Sequence, residues 1–416
     1  MAITKKQSSV ATRSRWTAAA PTIQPRLHSS RLPELDALRG LMLVGMTLTH
    51  LPTQASHYSN QLLGFVSWAE GFVLLSAVLT GRVYGALLRQ SSVRVVRERL
   101  WLRSAKLFGY HLALLAVAFT FVGAIALHTQ KPALVGLLDF YLAHHALAAA
   151  SSLLLLYCPP LLDILPMYIV FLLVTPLLLS VGQRWGWKFV LAPSGFLWLA
   201  AQFGARAWVH GLLVQHADFP IPLEQLGAFN LLAWQFLWAF GLWVGVGGAT
   251  RLLSWFESRW MIVLASVVAV AFLILRYQWP PYYIPHPVDQ GSAWVLFDKW
   301  QLGVLRLLNF AALGVLFTAV RPYVAHRLSW RPLVLLGKSS LEVFCIQVLF
   351  CFAALSLVGD GAGASVLDQI AIVTLSLAGL YAVAWWRARP RDQDSLVPWI
   401  LIPRWPPDGK EIARIG

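Results

Sequence analysis

The sequence predicts an all-α polytopic membrane protein with about ten transmembrane helices and with both termini in the cytoplasm. Of the 416 residues, 58% are hydrophobic and only 12% are charged, and the mean hydropathy is +0.64. These values exclude an ordinary soluble domain. A net charge of +15 could indicate a nucleic-acid partner. The basic residues, however, lie in short clusters between apolar runs, as they do in cytoplasmic loops, so we expect no nucleic acid and a lipid bilayer instead.

Ten apolar segments are long enough to cross a bilayer, which takes about 17 to 25 residues per helix. They are residues 40–56, 63–88, 107–127, 161–182, 187–203, 229–248, 261–276, 301–320, 333–358 and 367–386. With the N-terminus inside, the inner segments hold 27 of the 33 Lys and Arg residues, as the positive-inside rule requires. Residues 133–157 are also apolar, but counting them as a span would reverse all later segments and remove this asymmetry. We therefore predict an outer, partly re-entrant or interfacial segment there.

The chain divides into a membrane domain over residues 31–390 and two cytoplasmic tails. Residues 1–30 are rich in Ser, Thr, Ala, Arg and Pro and lack apolar periodicity, which is typical of disorder. Residues 391–416 form the second tail. The three cysteines are Cys158, Cys345 and Cys351. They lie in or beside apolar segments without metal-ligand spacing, so we expect small core residues and no disulfide framework.

The first span carries a cation and an imidazole on one face. Arg39 and His50 are eleven residues apart, which returns a helix to within about 20° of the same face and about 16 Å further along its axis. The arginine could bind an anionic donor, and the deeper histidine could take a proton. Asp36, three residues before Arg39, would brace the guanidinium. The alternative is a surface arginine and a histidine that only packs.

Glu70 in the second span is predicted to lie beside His50. By helical rise, Glu70 is about 12 Å and His50 about 9 Å from the outer ends of their spans. A short hairpin joins the two spans, so they should be neighbours. A carboxylate next to an imidazole fixes its tautomer and stabilises the imidazolium. We therefore predict a Glu70–His50 hydrogen bond. The alternative is a structural hydrogen bond from Glu70 to another span.

A basic segment follows the second span. It contains Arg82, Arg89, Arg94, Arg97, Arg99, Arg103 and Lys106, with one glutamate among them. Arg94 and Arg97, one turn apart, suit the phosphates of a nucleotide-bearing donor, and Arg82 lies close by in sequence. Inside-positive topology and contact with lipid headgroups explain the same charges, and both interpretations stay open.

Three residues of the predicted outer face could contact a hydroxyl-rich acceptor. Asp163 and Tyr168 lie at the outer mouth of the fourth span, although an interfacial Asp is often a helix cap. Trp279 belongs to an outer loop, residues 277–287, that is rich in aromatic residues and proline. Flat rings with polar tips can stack on sugar faces, and interfacial anchoring is the alternative.

The remaining polar residues of the spans indicate structure more than chemistry. Arg306 and Glu342 are expected to neutralise each other, because ionisable residues inside a membrane usually pair. The histidines of the outer segments form no recognised metal pattern, so the sequence predicts no metal site. They are His128, His144, His145, His210 and His216.

Taken together, these motifs resemble the membrane acyltransferase three superfamily. The resemblance rests on Arg-x10-His in the first span, Glu-Gly-Phe-Val-Leu-Leu-Ser in the second, and the basic segment after it. Three further stretches are similar to the OpgC type, which succinylates periplasmic glucans. They are Leu-Asp-Ile-Leu-Pro-Met-Tyr (162–168), Leu-Ala-Trp-Gln-Phe (232–236) and Gly-Lys-Ser-Ser-Leu-Glu-Val-Phe-Cys (337–345). The likeness runs from about residue 31 to residue 390.

The resemblance implies a membrane acyltransferase domain of ten helices in the bacterial inner membrane. Acyl-CoA would be a co-substrate from the cytoplasm, with no bound cofactor, and the acyl group would pass to a glucan hydroxyl on the far side. His50 would match the catalytic base, Arg39 the essential arginine, and the arginines at 94–97 the donor-side motif. Ala77 departs from the family pattern, which usually has glycine there. No role is assigned to Gln347.

Two other classes of function remain open. In a proton-coupled transporter or flippase for a lipid or glycan, His50 and Glu70 would form a proton relay. Internal repeats and broken-helix signals, which such transporters often carry, are not evident in the sequence. In a non-catalytic scaffold for glucan synthesis, His50 would be dispensable.

Overall fold

A computed structural model describes residues 32–278 and 293–389, and within these ranges it contains helices and no β-strand. The predicted tails, residues 1–30 and 391–416, lie outside the described residues. The α-helices are α1 (Pro33–His50), α2 (Ala55–Ser59), α3 (Trp68–Gln90), α4 (Val93–Val117), α5 (Gly123–Thr129), α6 (Pro132–Leu137), α7 (Asp139–Ala143), α8 (His145–Leu153), α9 (Ile164–Arg184), α10 (Lys188–Gln202), α11 (Ala205–Ala217), α12 (Leu231–Gly245), α13 (Thr250–Phe256), α14 (Arg259–Gln278), α15 (Val304–Leu328), α16 (Arg331–Lys338), α17 (Ser340–Val358) and α18 (Val366–Ala388). A π-helical turn, Ala118–Val122, makes α4 and α5 one continuous helix. Short 3-10 helices cover Leu223–Gln225 and Ala293–Phe297.

The prediction of an all-α, multi-pass membrane protein is confirmed. Within the described residues, seven helices are long and apolar enough to cross a membrane, or eight if the bent pair α12–α13 forms one span. The seven are α3, the continuous α4–α5, α9, α14, α15, α17 and α18. A helix lies in each of the ten predicted segments, but α1 is not among the seven, and α10 and α12 have only 15 residues each, about 22 Å by helical rise. Ten spans and cytoplasmic termini therefore stay predictions.

The apolar segment 133–157 does not form a long helix. It folds as the short helices α6, α7 and α8, of six, five and nine residues. None of these lengths reaches across a hydrocarbon core. This agrees with the prediction of a segment that does not cross, while its location on the outer face stays a prediction.

Small residues let α3 and α12 approach each other closely. A Cβ atom at Gly81 would overlap the Leu242 carbonyl, and one at Gly245 would overlap the Val78 carbonyl. Small residues at such spacings are how membrane helices bring their backbones together. Ala77, the departure from the family pattern, faces Gly241 at the same interface. The missing side chain at Gly241 makes room for the extra methyl group of Ala77.

Helices α1 and α17 lie side by side and run in the same direction. Arg39, on the second turn of α1, donates to the Ser340 hydroxyl at the start of α17, at 2.6 Å. Eleven residues later, His50 meets Gln347 of α17. The helix before α17 also packs closely on α1, since a Cβ at Gly337 would overlap the backbone of Asp36. These contacts hold both Arg39 and His50 of α1 against α17, at two different levels along it.

The three cysteines are all free and buried. Cys345 and Cys351 face the core from α17, and Cys158 lies in the connection before α9. Their burial agrees with the prediction of small core residues.

Candidate functional site

A cavity of about 420 Å³ opens where α1 ends and where α3 and α9 begin. The polar residues that line it are Thr49, His50, Ser67, Asp139, Asp163, Glu224, Gln225, Lys299 and Gln347. The rings of Trp68 and Trp300 line it as well. One wall comes from segments that do not span, namely the α6–α7 region, residues 158–163, residues 224–229 and residues 299–300. The cavity therefore combines an imidazole at a helix end with charged groups from short connecting segments.

His50 contacts Gln347 and not Glu70. The Nδ1 atom of His50 lies 3.4 Å from Nε2 of Gln347. The Gln347 side chain is 1% exposed, and its Oε1 has no hydrogen-bond partner among the described residues. Sequence reasoning named this residue but missed its role. The sequence feature that could have indicated a role for Gln347 is that it is the one amide side chain in the apolar run Phe-Cys-Ile-Gln-Val-Leu-Phe.

The predicted hydrogen bond between Glu70 and His50 is wrong. Glu70 is fully buried, but one carboxylate oxygen accepts from the backbone N–H of Ser67, at 3.0 Å, and from the Ser67 hydroxyl. Its other oxygen pairs with Nε of Arg306. Glu70 is thus the acidic member of a capping box at the start of α3. The catalytic role of Glu70 stays a prediction, without the contact on which it was based.

The expected pair between Arg306 and Glu342 is also wrong, because the two residues lie at opposite ends of the bundle. Arg306 pairs with Glu70 at the cavity end. Glu342 accepts from Lys106 at 3.3 Å and from Arg387 at 2.9 Å. Arg306 and Glu342 are therefore each paired with an opposite charge at their own end of the bundle.

Asp163 and Tyr168 were predicted together, and the structure separates them. Asp163 lines the cavity and accepts from the backbone N–H of Ala228 at 3.2 Å. Tyr168 is buried in helix packing, where its hydroxyl donates to the Phe72 carbonyl at 3.1 Å and its ring meets Trp238. Five residues of helix carry Tyr168 about 7 Å away from the level of Asp163, so it is not found at the mouth.

Lys299 is the second cavity residue that sequence reasoning missed. Its ammonium lies 4.5 Å from the centre of the Trp300 ring, and no described carboxylate is within ion-pair distance. Burial lowers the pKa of Lys299, while the charges of Glu70 and Asp163 act in the opposite direction. The sequence feature that could have indicated a role for Lys299 is its position in a predicted outer loop, because the positive-inside rule leaves few cations in such loops.

At the other end of α1, Arg39 lies half-buried next to other polar groups. Besides its bond to Ser340, its guanidinium lies 5.7 Å from the centre of the Phe72 ring. Asp36 is close enough for its charge to act on the guanidinium, as expected for an i, i+3 pair. The Nε atom of Arg39 has no hydrogen-bond partner in the described ranges.

The predicted phosphate-binding arginines also lie at this end. Arg94 and Arg97 are exposed on the first turns of α4, where Arg94 pairs with Glu98 at 2.9 Å and Arg97 lies over the Trp101 ring. Arg82 is half-buried near the end of α3. The geometry leaves their guanidinium groups accessible, and a role in binding phosphate stays a prediction.

Two further predictions concern stacking and metals. Trp279 lies outside the described residues. Within residues 32–278 and 293–389, no three His, Cys, Asp or Glu side chains are grouped closely enough to hold a metal ion.

The comparisons with known proteins give one match. The model of a family described as OpgC protein matches residues 31–392, which includes every described residue. No curated protein and no solved structure matches the chain.

Proposed function

The chain belongs to the OpgC protein family, and on that premise we propose that it is an integral membrane O-acyltransferase of the acyltransferase three type. It works in the bacterial inner membrane. The donor is a cytoplasmic acyl-CoA, the acyl group is succinyl by analogy with the family, and the acceptor is a hydroxyl of a periplasmic glucan or related glycan.

The observation that carries this proposal is the cavity at the end of α1. It brings the imidazole of His50 together with Asp163 and Lys299, while Arg39 lies eleven residues earlier on the same helix. Arg39 and His50 are about 16 Å apart along the axis of α1. A donor whose phosphates bind at Arg39 would therefore extend its thioester over about this distance to reach His50, where the proton is transferred.

In the proposed reaction, neutral His50 acts as the general base. It takes the proton of a glucan hydroxyl while the hydroxyl oxygen attacks the thioester carbonyl carbon. The positive charge of Lys299 stabilises the negative oxygen of the tetrahedral intermediate. The carbon–sulfur bond then breaks, and the imidazolium returns its proton to the departing thiolate. The products are a glucan ester and free CoA.

The other residues bind and orient the two substrates. Arg39, Arg82, Arg94 and Arg97 bind the CoA phosphates through charge-assisted hydrogen bonds. Asp163 accepts a hydrogen bond from a second glucan hydroxyl. A covalent acyl-enzyme intermediate would use the same cavity and the same base.

One observation favours the second candidate, a proton-coupled transporter. Helices α12 and α13 are bent by 97° at a short break, and broken spans are frequent in transporters. In such transporters the break lies at the substrate site. Here the break, residues 246–249, is absent from the cavity lining, so acyl transfer is the better supported function.

The test is the His50→Ala protein, expressed in a strain that lacks the natural gene. We expect acyl incorporation into periplasmic glucans, measured by mass spectrometry, to fall at least about 100-fold, because a general base typically contributes that much. His216→Ala is the matched control, since His216 is exposed and lies outside the cavity lining. Membrane abundance of both proteins is measured in parallel.

Two results would reject the proposal. One is unchanged glucan acylation in the His50→Ala strain at normal abundance. The other is a purified wild-type protein that moves a glycan across vesicle membranes but neither transfers nor hydrolyses an acyl-CoA thioester.

A further inference from the structure

We propose that Gln347 is the positioning residue that holds His50 in the tautomer with a proton on Nδ1, so that Nε2 is the base. The inference rests on the proposed function and extends it to α17. It starts from the 3.4 Å approach between the Gln347 amide and Nδ1 of His50, and from a buried amide oxygen without a described partner.

The two ends of the Gln347 amide have opposite consequences for the base. If Nε2 of Gln347 donates to Nδ1, the imidazole proton is on the Nε2 atom of His50, and the ring has no free lone pair for a substrate. If the amide is turned over, its oxygen accepts from Nδ1–H, and the Nε2 atom of His50 is free to accept a proton. Oxygen and nitrogen of an amide are assigned from their surroundings.

The proposed role of His50 decides between the two orientations. Nδ1 of His50 lies against Gln347, so Nε2 is the ring nitrogen left for a substrate hydroxyl. Nε2 can act as a base only when the proton of the neutral ring is on Nδ1. Gln347 must then turn its oxygen toward Nδ1 and accept from Nδ1–H.

Gln347 stays neutral throughout the reaction. The hydroxyl proton moves to Nε2 of His50 and from there to the thiolate, while Nδ1–H remains hydrogen-bonded to the amide oxygen. That bond strengthens when the ring becomes cationic, because a charged donor makes a stronger hydrogen bond. Gln347 thus acts through His50 and never contacts the substrate.

The experiment compares Gln347→Leu, Gln347→Glu and the wild-type protein in acyl transfer from acyl-CoA as a function of pH. In Gln347→Leu we expect kcat to fall at least about tenfold with an unchanged KM for acyl-CoA, because the ring samples both tautomers. In Gln347→Glu we expect the acid limb of the pH–rate profile to move to higher pH by about one unit, since a carboxylate stabilises the imidazolium. A merely structural role would not move this limb.

The other ionisable groups of the cavity are the same in all three proteins. They are Asp139, Asp163, Glu224, Lys299, Cys158 and Cys351, so a difference between the profiles reports position 347. Gln235→Leu is the matched control. Gln235 also joins two helices, through Ser194 at 2.6 Å, but it does not line the cavity, and both kinetic constants should stay unchanged.

A spectroscopic measurement separates this inference from the proposed function. Nitrogen-15 NMR of labelled histidine reports the tautomer of His50 without any turnover, and its signals are identified by their loss in His50→Ala. Wild-type protein should show a protonated Nδ1, and Gln347→Leu should show a mixture. A wild-type ring protonated on Nε2, or an unmoved acid limb in Gln347→Glu, overturns the role of Gln347. Absence of acyl transfer by wild type overturns the proposed function instead, whatever the spectrum shows.

Discussion

The carboxylate of Glu70 has three donors around it, two from Ser67 and one from Arg306. Arg306 in turn donates from Nη1 to the Phe297 carbonyl at 3.3 Å, two residues before Lys299. Glu70 therefore ties the start of α3 to the segment that brings Lys299 into the cavity. Glu70 therefore affects the cavity through its buried ion pair with Arg306 and not through a contact with the imidazole of His50.

Breaking this ion pair should strongly destabilise the protein. Arg306→Met leaves the Glu70 carboxylate buried without its cation, which typically costs about 3–5 kcal/mol. The double variant Arg306→Met/Glu70→Gln should recover part of that loss, because no charge remains buried alone. Thermal unfolding in detergent measures both effects.

Arg321→Met is the control for this comparison. Arg321 pairs with Glu34 at 3.1 Å but is 48% exposed, and pairs of this kind contribute about 0–1 kcal/mol. Equal unfolding temperatures for Arg306→Met and Arg321→Met would contradict a stabilising role of the buried pair.

Part of the site could be predicted at the residue scale. Helical rise predicted that Arg39 and His50 lie far apart along one helix, and α1 confirms this, because rise depends on spacing alone. The depths predicted for His50 and Glu70 are wrong, because α1 ends at His50 and α3 begins at Trp68, which leaves Glu70 in its first turn. Depth says nothing about the direction of a side chain around the axis, so the Glu70–His50 contact did not follow from it. The capping box Ser67-x-x-Glu70 was visible in the sequence, and it would have predicted that the carboxylate turns back to its own helix start. Lys299 and Gln347 reach the cavity through long-range packing, which no local pattern describes.

Among the helices, the close contact between α3 and α12 depends on residues without side chains. Gly81 and Gly245 each face a carbonyl of the other helix. Directly after Gly245 the chain bends by 97° into α13. The sequence there is Val-Gly-Val-Gly-Gly, and this glycine cluster is the local signal for the break that hydropathy did not reveal.

Gly245→Ala should push α3 and α12 apart. The new methyl group would overlap the Val78 carbonyl and the backbone of Arg82, and overpacking of this kind costs about 1–3 kcal/mol. Gly211→Ala is the matched control, since a Cβ there meets nothing within 4 Å. Because alanine favours helix by about 1 kcal/mol over glycine, the unfolding temperature should fall for Gly245→Ala and rise slightly for Gly211→Ala. If the unfolding temperature changed in the same direction in both variants, the close backbone contact between α3 and α12 would be contradicted.

Across the whole molecule, the two ends of the bundle differ in chemistry. One end has Arg39, Arg82 and the first turns of α4, and the other has the cavity. Hydropathy predicted the all-α membrane class, because long apolar runs have few other solutions in lipid. Hydropathy could not give the exact number of spans, because the 15-residue helices α10 and α12 and the short helices α6 to α8 are similarly apolar.

Cysteine labelling tests which end faces the cytoplasm. In a background with alanine at the three native cysteines, Gln90→Cys and His216→Cys introduce exposed thiols. If the basic segment lies inside, a membrane-impermeant maleimide should label position 216 in cells with a permeabilised outer membrane. Position 90 should react only after lysis of the inner membrane. The reverse pattern would invert the proposed direction of acyl transfer.

The cavity wall built from short connecting segments has a consequence for the size of the acceptor. Helices α1, α3, α9 and α17 contribute one part of the cavity lining around His50, while loops and the one- or two-turn helices α6 and α7, which are too short to span a bilayer, contribute another part. Under the proposed function, a long polymer could approach that second part of the lining and present one hydroxyl at a time, with none of its sugar units passing through lipid. An enzyme of the proposed kind would modify a finished chain at many points along its length and would have no need to act on each building block before polymerisation.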